Sequence, residues 1–143
     1  MLDKLIDMVK RHEGLRLKLY ADSCGKLTIG YGRCIEDIGI SQQEADLLLM
    51  NDLTRSVNDL ANNLPWLYEI DDIRRAALVD LCFQLGWRGL SKFQKTLEYA
   101  EKKYWDKAAD ELLDSIYAKQ APKRANEISE MLRTGQWQTG NQS

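Results

Sequence analysis

The sequence predicts an α+β fold, mainly helical, with a single β-hairpin near the start. Three observations carry that prediction. Apolar residues recur at helical spacing over most of the chain, and between residues 15 and 31 the period falls to two. A glycine or a capping sequence marks most of the changes between elements. With 143 residues, the chain is long enough for one sizeable buried core.

The first element is a helix. Leu2, Leu5, Ile6 and Val9 form its apolar stripe, with Asp3, Lys4, Lys10 and Arg11 outside it. Gly14 suits its end, because glycine takes a left-handed conformation without steric cost. His12 and Glu13 are then its last residues. Leu15, Leu17 and Leu19 next alternate with Arg16, Lys18 and Tyr20, and after Ser23-Cys24-Gly25 the alternation resumes with Leu27, Ile29 and Tyr31. Two such runs about a glycine turn read as a hairpin. Ser41-Gln42-Gln43-Glu44 has the form of a capping box. The stripe Ala45, Leu48, Leu49, Leu53, Val57 and Leu60 carries the helix behind it to Asn62-Asn63-Leu64-Pro65. Four shorter helices are expected over residues 72–85, 91–102, 105–116 and 122–133, with Gly86 stopping the first and Gly135 the last. Pro122 fits a first helical turn, where no N–H is needed.

Composition excludes several classes. Apolar residues make up 44% and charged residues 29%, which is globular rather than disordered. No run of eighteen apolar residues is present to span a membrane. A net charge of -2 gives no global bias towards nucleic acid. Residues 1–35 carry seven basic and four acidic side chains, and residues 36–63 one basic and six acidic; a solvated surface accounts for both. Cys24, Cys34, Cys82 and the lone His12 show neither a disulfide framework nor zinc-ligand spacing, so no metal or cofactor is expected. The first ten residues lack the unbroken apolar core of a signal peptide, which places the new chain in a reducing cytoplasm.

The candidate chemistry lies in residues 13–28. Glu13 falls at a helix end, where unpaired carbonyls disfavour a carboxylate and favour the protonated form that a general acid needs. Asp22 and Thr28 fall on the hairpin. If the turn pairs Ser23 with Leu27, Asp22 faces Thr28 across it, and a one-residue slip would separate them. A helix-end Glu and a hairpin Asp form a carboxyl pair suited to glycosidic cleavage, although two solvated carboxylates would carry the same spacing.

Residues Glu13-Gly14-Leu15-Arg16-Leu17-Lys18-Leu19-Tyr20-Ala21-Asp22 and Thr28-Ile29-Gly30-Tyr31-Gly32 resemble the catalytic signature of the T4-type phage lysozymes: Glu, eight residues, Asp, five residues, Thr. The resemblance continues through Ser41-Gln42-Gln43-Glu44-Ala45, Ile73-Arg74-Arg75-Ala76-Ala77-Leu78 and Phe83-Gln84-Leu85-Gly86. It then runs on through Tyr104-Trp105-Asp106-Lys107-Ala108-Ala109, Gln120-Ala121-Pro122-Lys123-Arg124-Ala125 and Arg133-Thr134-Gly135-Gln136-Trp137. These blocks cover nearly the whole chain in order.

The resemblance implies a two-lobed fold. A small hairpin lobe would span about 14–52, and a larger helical lobe about 1–13 and 53–143. It implies a monomeric endolysin that hydrolyses the β-1,4 bond between N-acetylmuramic acid and N-acetylglucosamine in peptidoglycan. Such an enzyme stays in the host cytoplasm until a holin releases it to the periplasm and cell wall, without stable membrane association. Glu13 would be the general acid, while Asp22 and Thr28 would support the oxocarbenium-like transition state and hold the attacking water. The Thr28 hydroxyl is expected to face an open cleft, and loss of the Asp22 carboxylate could stabilise the fold. Arg124 matches an arginine beside the acid; Phe83 and Gln84 match positions near the cleft floor; Thr96 and Cys34 match sugar contacts. Arg33 stands where the best-known member has a histidine, so an ion pair with Asp52 would not titrate near neutral pH. The four tryptophans read as packing residues, Cys82 as a small buried hydrophobe and His12 as a helix-end cation. A lytic transglycosylase and a non-catalytic wall-binding helical module are the rival readings.

Overall fold

The computed structural model describes residues 1–139. Met1–Leu48 form one compact unit, and the chain from Leu49 forms a second. The fold is mainly helical with one small antiparallel sheet, as predicted. No helix among the described residues is long and apolar enough to cross a membrane.

The first unit opens with α1 (Leu2–Glu13), which ends at Gly14; that glycine has φ 71° and donates its N–H to the Lys10 carbonyl at 2.9 Å. Strands β1 (Arg16–Ala21) and β2 (Leu27–Gly30) form the expected hairpin, and β3 (Arg33–Cys34) adds to the other side of β2. Two residues are too few for alternation to reveal β3.

The register corrects the expected pairing. Asp22 N–H donates to the Lys26 carbonyl and Gly25 N–H to the Asp22 carbonyl, each at 2.9 Å. Gly25, at φ 79°, takes the left-handed position of this three-residue loop. The turn therefore closes on Asp22 and Lys26, and Thr28 faces Tyr20 rather than Asp22. A two-residue shift preserves the face, so Asp22 and Thr28 remain on one side of the sheet as diagonal neighbours. A short α2 (Ile35–Ile38) follows β3, and α3 (Gln42–Asn63) begins at the expected capping box. There Glu44 N–H donates to Ser41 Oγ at 3.1 Å, and Ser41 N–H to Glu44 Oε1 at 2.8 Å.

In the second unit a 3₁₀ turn (Leu67–Glu69) precedes α4 (Asp72–Leu90), α5 (Gln94–Glu101), α6 (Trp105–Leu113), α7 (Ile116–Gln120) and α8 (Pro122–Thr134). Its core is aliphatic: Leu60, Leu67, Leu78, Leu81, Leu90, Leu112, Ile128 and Leu132 are fully buried. Cys82 packs among them as expected, and burial pushes its thiol pKa up. Trp66 is buried and Trp87 and Trp105 pack against the core, while Trp137 is exposed.

Gly86 interrupts α4 at the predicted stop with φ 69° and ψ 165°, but the helix resumes to Leu90. The helix expected over 105–116 ends at Leu113, and an unexpected short helix, α7, follows where Ser115 Oγ accepts the Ala118 N–H at 3.2 Å. At the end of α8, Gly135 takes the left-handed conformation and donates to the Met131 carbonyl at 2.9 Å. Arg74 clamps that end: Nε donates to the Leu132 carbonyl at 2.7 Å and Nη2 to the Arg133 carbonyl at 3.0 Å. The same guanidinium lies 4.6 Å from the centre of the Trp105 ring.

Candidate active site

In the first unit, three elements bring the signature residues to the sheet. Glu13 is the last residue of α1, Asp22 opens the β1–β2 turn, and Thr28 lies on the central strand. The Glu13 carboxylate lies directly against Gly32, whose backbone at φ 79° forms part of the tight turn from β2 to β3. Lys10, one turn earlier on α1, places its ammonium 5.3 Å from the ring centre of the adjacent Tyr31. The end of α1 is thus tied to the β2–β3 turn.

Asp22 has two different oxygens. Oδ1 accepts the N–H groups of Cys24 at 2.8 Å and Lys26 at 2.9 Å, whereas Oδ2 accepts no hydrogen bond among the described residues. The first oxygen organises the turn. Against the expectation that loss of this carboxylate could stabilise the fold stands the acceptor that two backbone donors would lose.

Thr28 is 3% exposed, so it is packed into the sheet rather than standing open to solvent as was expected. Its Oγ1 donates to the Lys26 carbonyl at 3.0 Å, bracing the residue whose N–H holds Asp22. The proton is committed, but a hydroxyl oxygen keeps lone pairs with which to accept. Cys34, half-buried on β3, pairs with Thr28 across the ladder.

Arg33 and Asp52 each have a partner within their own unit. Arg33 binds Glu44 at 2.5 Å and the Gly39 carbonyl at 3.3 Å, while Asp52 pairs with Arg55 one turn along α3.

Within the second unit, a cavity of about 570 Å³ is lined by Leu53, Val57, Ala76, Val79 and Phe83, with Asp80 and Arg124 supplying opposite charges. Arg124 Nε donates to Asp80 Oδ1 at 2.8 Å, and its Nη2 lies 2.7 Å from the same oxygen. Phe83 and Arg124 therefore line one depression. Gln84 is exposed and fixed by Tyr117, whose hydroxyl donates to Gln84 Oε1 at 2.8 Å. Tyr117 is itself buried and stands edge-on to Phe93, with ring centres 6.1 Å apart. Its role was missed from sequence, since nothing in its spacing ties it to a residue thirty-three positions away. Thr96 is corrected: at 2% exposure on the inward side of α5, it offers no surface to a sugar.

Residues 10–130 match the phage lysozyme family. A probable T4-type lysozyme of Dictyostelium discoideum is 33% identical, the alignment covering 94% of this chain and 96% of that protein. The pre-baseplate central spike protein of Enterobacteria phage T4 is 28% identical, over 92% of this chain and 28% of the spike protein. An endolysin from a phage of an Acyrthosiphon pisum secondary endosymbiont is 39% identical, over 37% of this chain and 38% of the endolysin.

Proposed function

The chain belongs to the phage lysozyme family and is a lysozyme-type glycan hydrolase; we propose that it cleaves the β-1,4 bond between N-acetylmuramic acid and N-acetylglucosamine in peptidoglycan. Supporting this reading, the signature Glu13, Asp22 and Thr28 occupies one folded unit, on a helix end, a hairpin turn and the central strand.

In the proposed step, Glu13 gives its proton to the glycosidic oxygen as the bond from that oxygen to the anomeric carbon breaks. A water oxygen bonds to the anomeric carbon from the opposite face, and its proton passes to the free Oδ2 of Asp22. Thr28 accepts a hydrogen bond from that water, so the nucleophile is oriented before it reacts. Asp22 also balances the positive charge that develops on the sugar ring. Exchange with solvent then restores both carboxyls. Arg124, Phe83 and Gln84 are proposed to hold the glycan strand. The natural setting is proposed to be endolysis: a monomer made in the host cytoplasm and released by a holin to act on the wall.

The test is product analysis after digestion of isolated sacculi. New reducing ends are expected, and Glu13→Gln should fold normally yet release none. Products ending in 1,6-anhydro sugars would replace hydrolysis with transglycosylation. Failure of the parent protein to clear permeabilised cells would leave a wall-binding module.

A further inference from the structure

Gly32 stands out from the other positive-φ glycines of the first unit. A methyl group built on Gly14, Gly25, Gly30 or Gly39 would meet nothing within 4 Å. On Gly32, the same methyl would lie 2.6 Å from Glu13 Oε2 and 3.1 Å from Glu13 Cδ. The backbone at φ 79° already favours glycine. The space beside the α carbon is a second, separate demand, and it is filled by one carboxyl group.

We propose that Gly32 is a positioning residue for the Glu13 carboxyl: its missing side chain is the seat in which the acid rests. The proposal builds on the reading of Glu13 as the general acid. The seat is shared by two anchored pieces of chain. Lys10 over the Tyr31 ring ties α1 to the turn, and the Gly14 N–H on the Lys10 carbonyl closes the helix just past Glu13. With both backbones held, the carboxyl is the part free to yield. Any side chain at position 32 would displace the end of a flexible glutamate rather than collide with backbone. The fold would survive while the acid lost its place, and a displacement of about 1 Å is enough to cost roughly 100-fold in rate.

The test compares Gly32→Ala with Gly30→Ala, because Gly30 has nearly the same backbone strain at φ 73° but open space around the added methyl. Both variants should lose thermal stability to a similar extent. On peptidoglycan, kcat should fall about 100-fold for Gly32→Ala with KM little changed, and should stay near the parent value for Gly30→Ala.

A second readout isolates proton delivery. An aryl β-glycoside of N-acetylmuramic acid with a good leaving group hardly needs an acid, so Gly32→Ala should lose far less activity on it than on peptidoglycan. Equal losses on both substrates, or equal losses in both variants, would reduce Gly32 to a backbone requirement and overturn the proposal. Should Gly32→Ala fail to fold, semisynthetic Gly32→D-Ala suits a positive φ and leaves the seat open. It is expected to be active, and an inactive, folded D-Ala protein would equally overturn the proposal. Parent-level cleavage by Glu13→Gln would remove the acid and this inference together. An inert Glu13→Gln beside a fully active Gly32→Ala would remove the inference alone.

Discussion

Arg33 Nη1 lies 2.5 Å from Glu44 Oε1, and that ion pair joins the last strand of the sheet to the capping box of α3. The guanidinium, followed by the Ser41 N–H, holds the Glu44 carboxyl down at about 2, against an ordinary value of 4.5. A carboxyl lowered by folding contributes stability that is fully present above its unfolded pKa and lost as pH falls through the folded one. Glu44→Gln should therefore lower Tm near neutral pH, and the deficit should shrink between about pH 4.5 and pH 2. Thermal melts across that range check it. Both side chains are exposed, so the deficit should be modest and reduced by salt. A deficit independent of pH would place the effect in the cap geometry rather than the charge.

Asp22 separates structure from chemistry in one side chain. Asn keeps an acceptor at Oδ1 for the Cys24 and Lys26 N–H groups, whereas Ala removes it. Asp22→Asn should melt near the parent and be nearly inactive. Asp22→Ala should be as inactive and less stable by about 1–2 kcal/mol. Chemical denaturation alongside sacculus digestion distinguishes the two, and an Asn variant that digests normally would end the catalytic reading of Asp22.

Thr28→Val keeps shape and strand preference while deleting the hydroxyl. On the water-holding reading, kcat should fall by roughly 100-fold, with Thr28→Ser retaining more activity. The buried hydroxyl also braces Lys26, so a stability loss of about 1 kcal/mol should accompany it. The Lys26 carbonyl still accepts from Asp22 N–H, which keeps that loss small. Parent-rate lysis by the Val variant would make Thr28 scaffold.

Tyr117→Phe removes the donor that fixes Gln84 while keeping the ring against Phe93. With Oε1 occupied by Tyr117, the amide N–H groups of the exposed Gln84 are what it has left to offer as donors. If they hold the glycan, KM should rise several-fold with kcat nearly unchanged, and Tyr117→Phe should have no further effect in a Gln84→Ala background. An effect that persists without Gln84 would assign Tyr117 to packing alone.

The residues that stop and start elements were legible because their physics is local. Gly14, Gly86 and Gly135 all take a positive φ where the helices were expected to stop, Gly135 alone in the left-handed helical conformation, and Ser41 and Glu44 satisfy each other's N–H groups. The hairpin was legible but its register was not, because loop closure at Gly25, rather than the strand pattern, decides which residues face each other. The break before α7 was hidden by Ser115, an ordinary residue within a helical pattern until its hydroxyl takes the Ala118 N–H. Of the site, the Glu-Asp-Thr spacing was readable along the chain. The Gly32 seat and the Tyr117–Gln84 bond were not, since both depend on distant segments meeting. Two glycines closing β2 were the one available hint of the former.

The Arg74 clamp on the end of α8 has a consequence for joining other sequences to this chain. Helix ends fray when their last carbonyls lack donors, but here a side chain from α4 supplies two of them and Gly135 a third. The helix is finished from within the unit, so a fused partner attached after Gly135 need not lend it support. A cut placed before Leu132 would instead remove both carbonyls that Arg74 binds and leave its guanidinium facing Trp105 with Asp71 as the remaining anion. Tolerance to grafting should therefore change sharply between Leu132 and Gly135, set by an arginine 58 positions before the first of them.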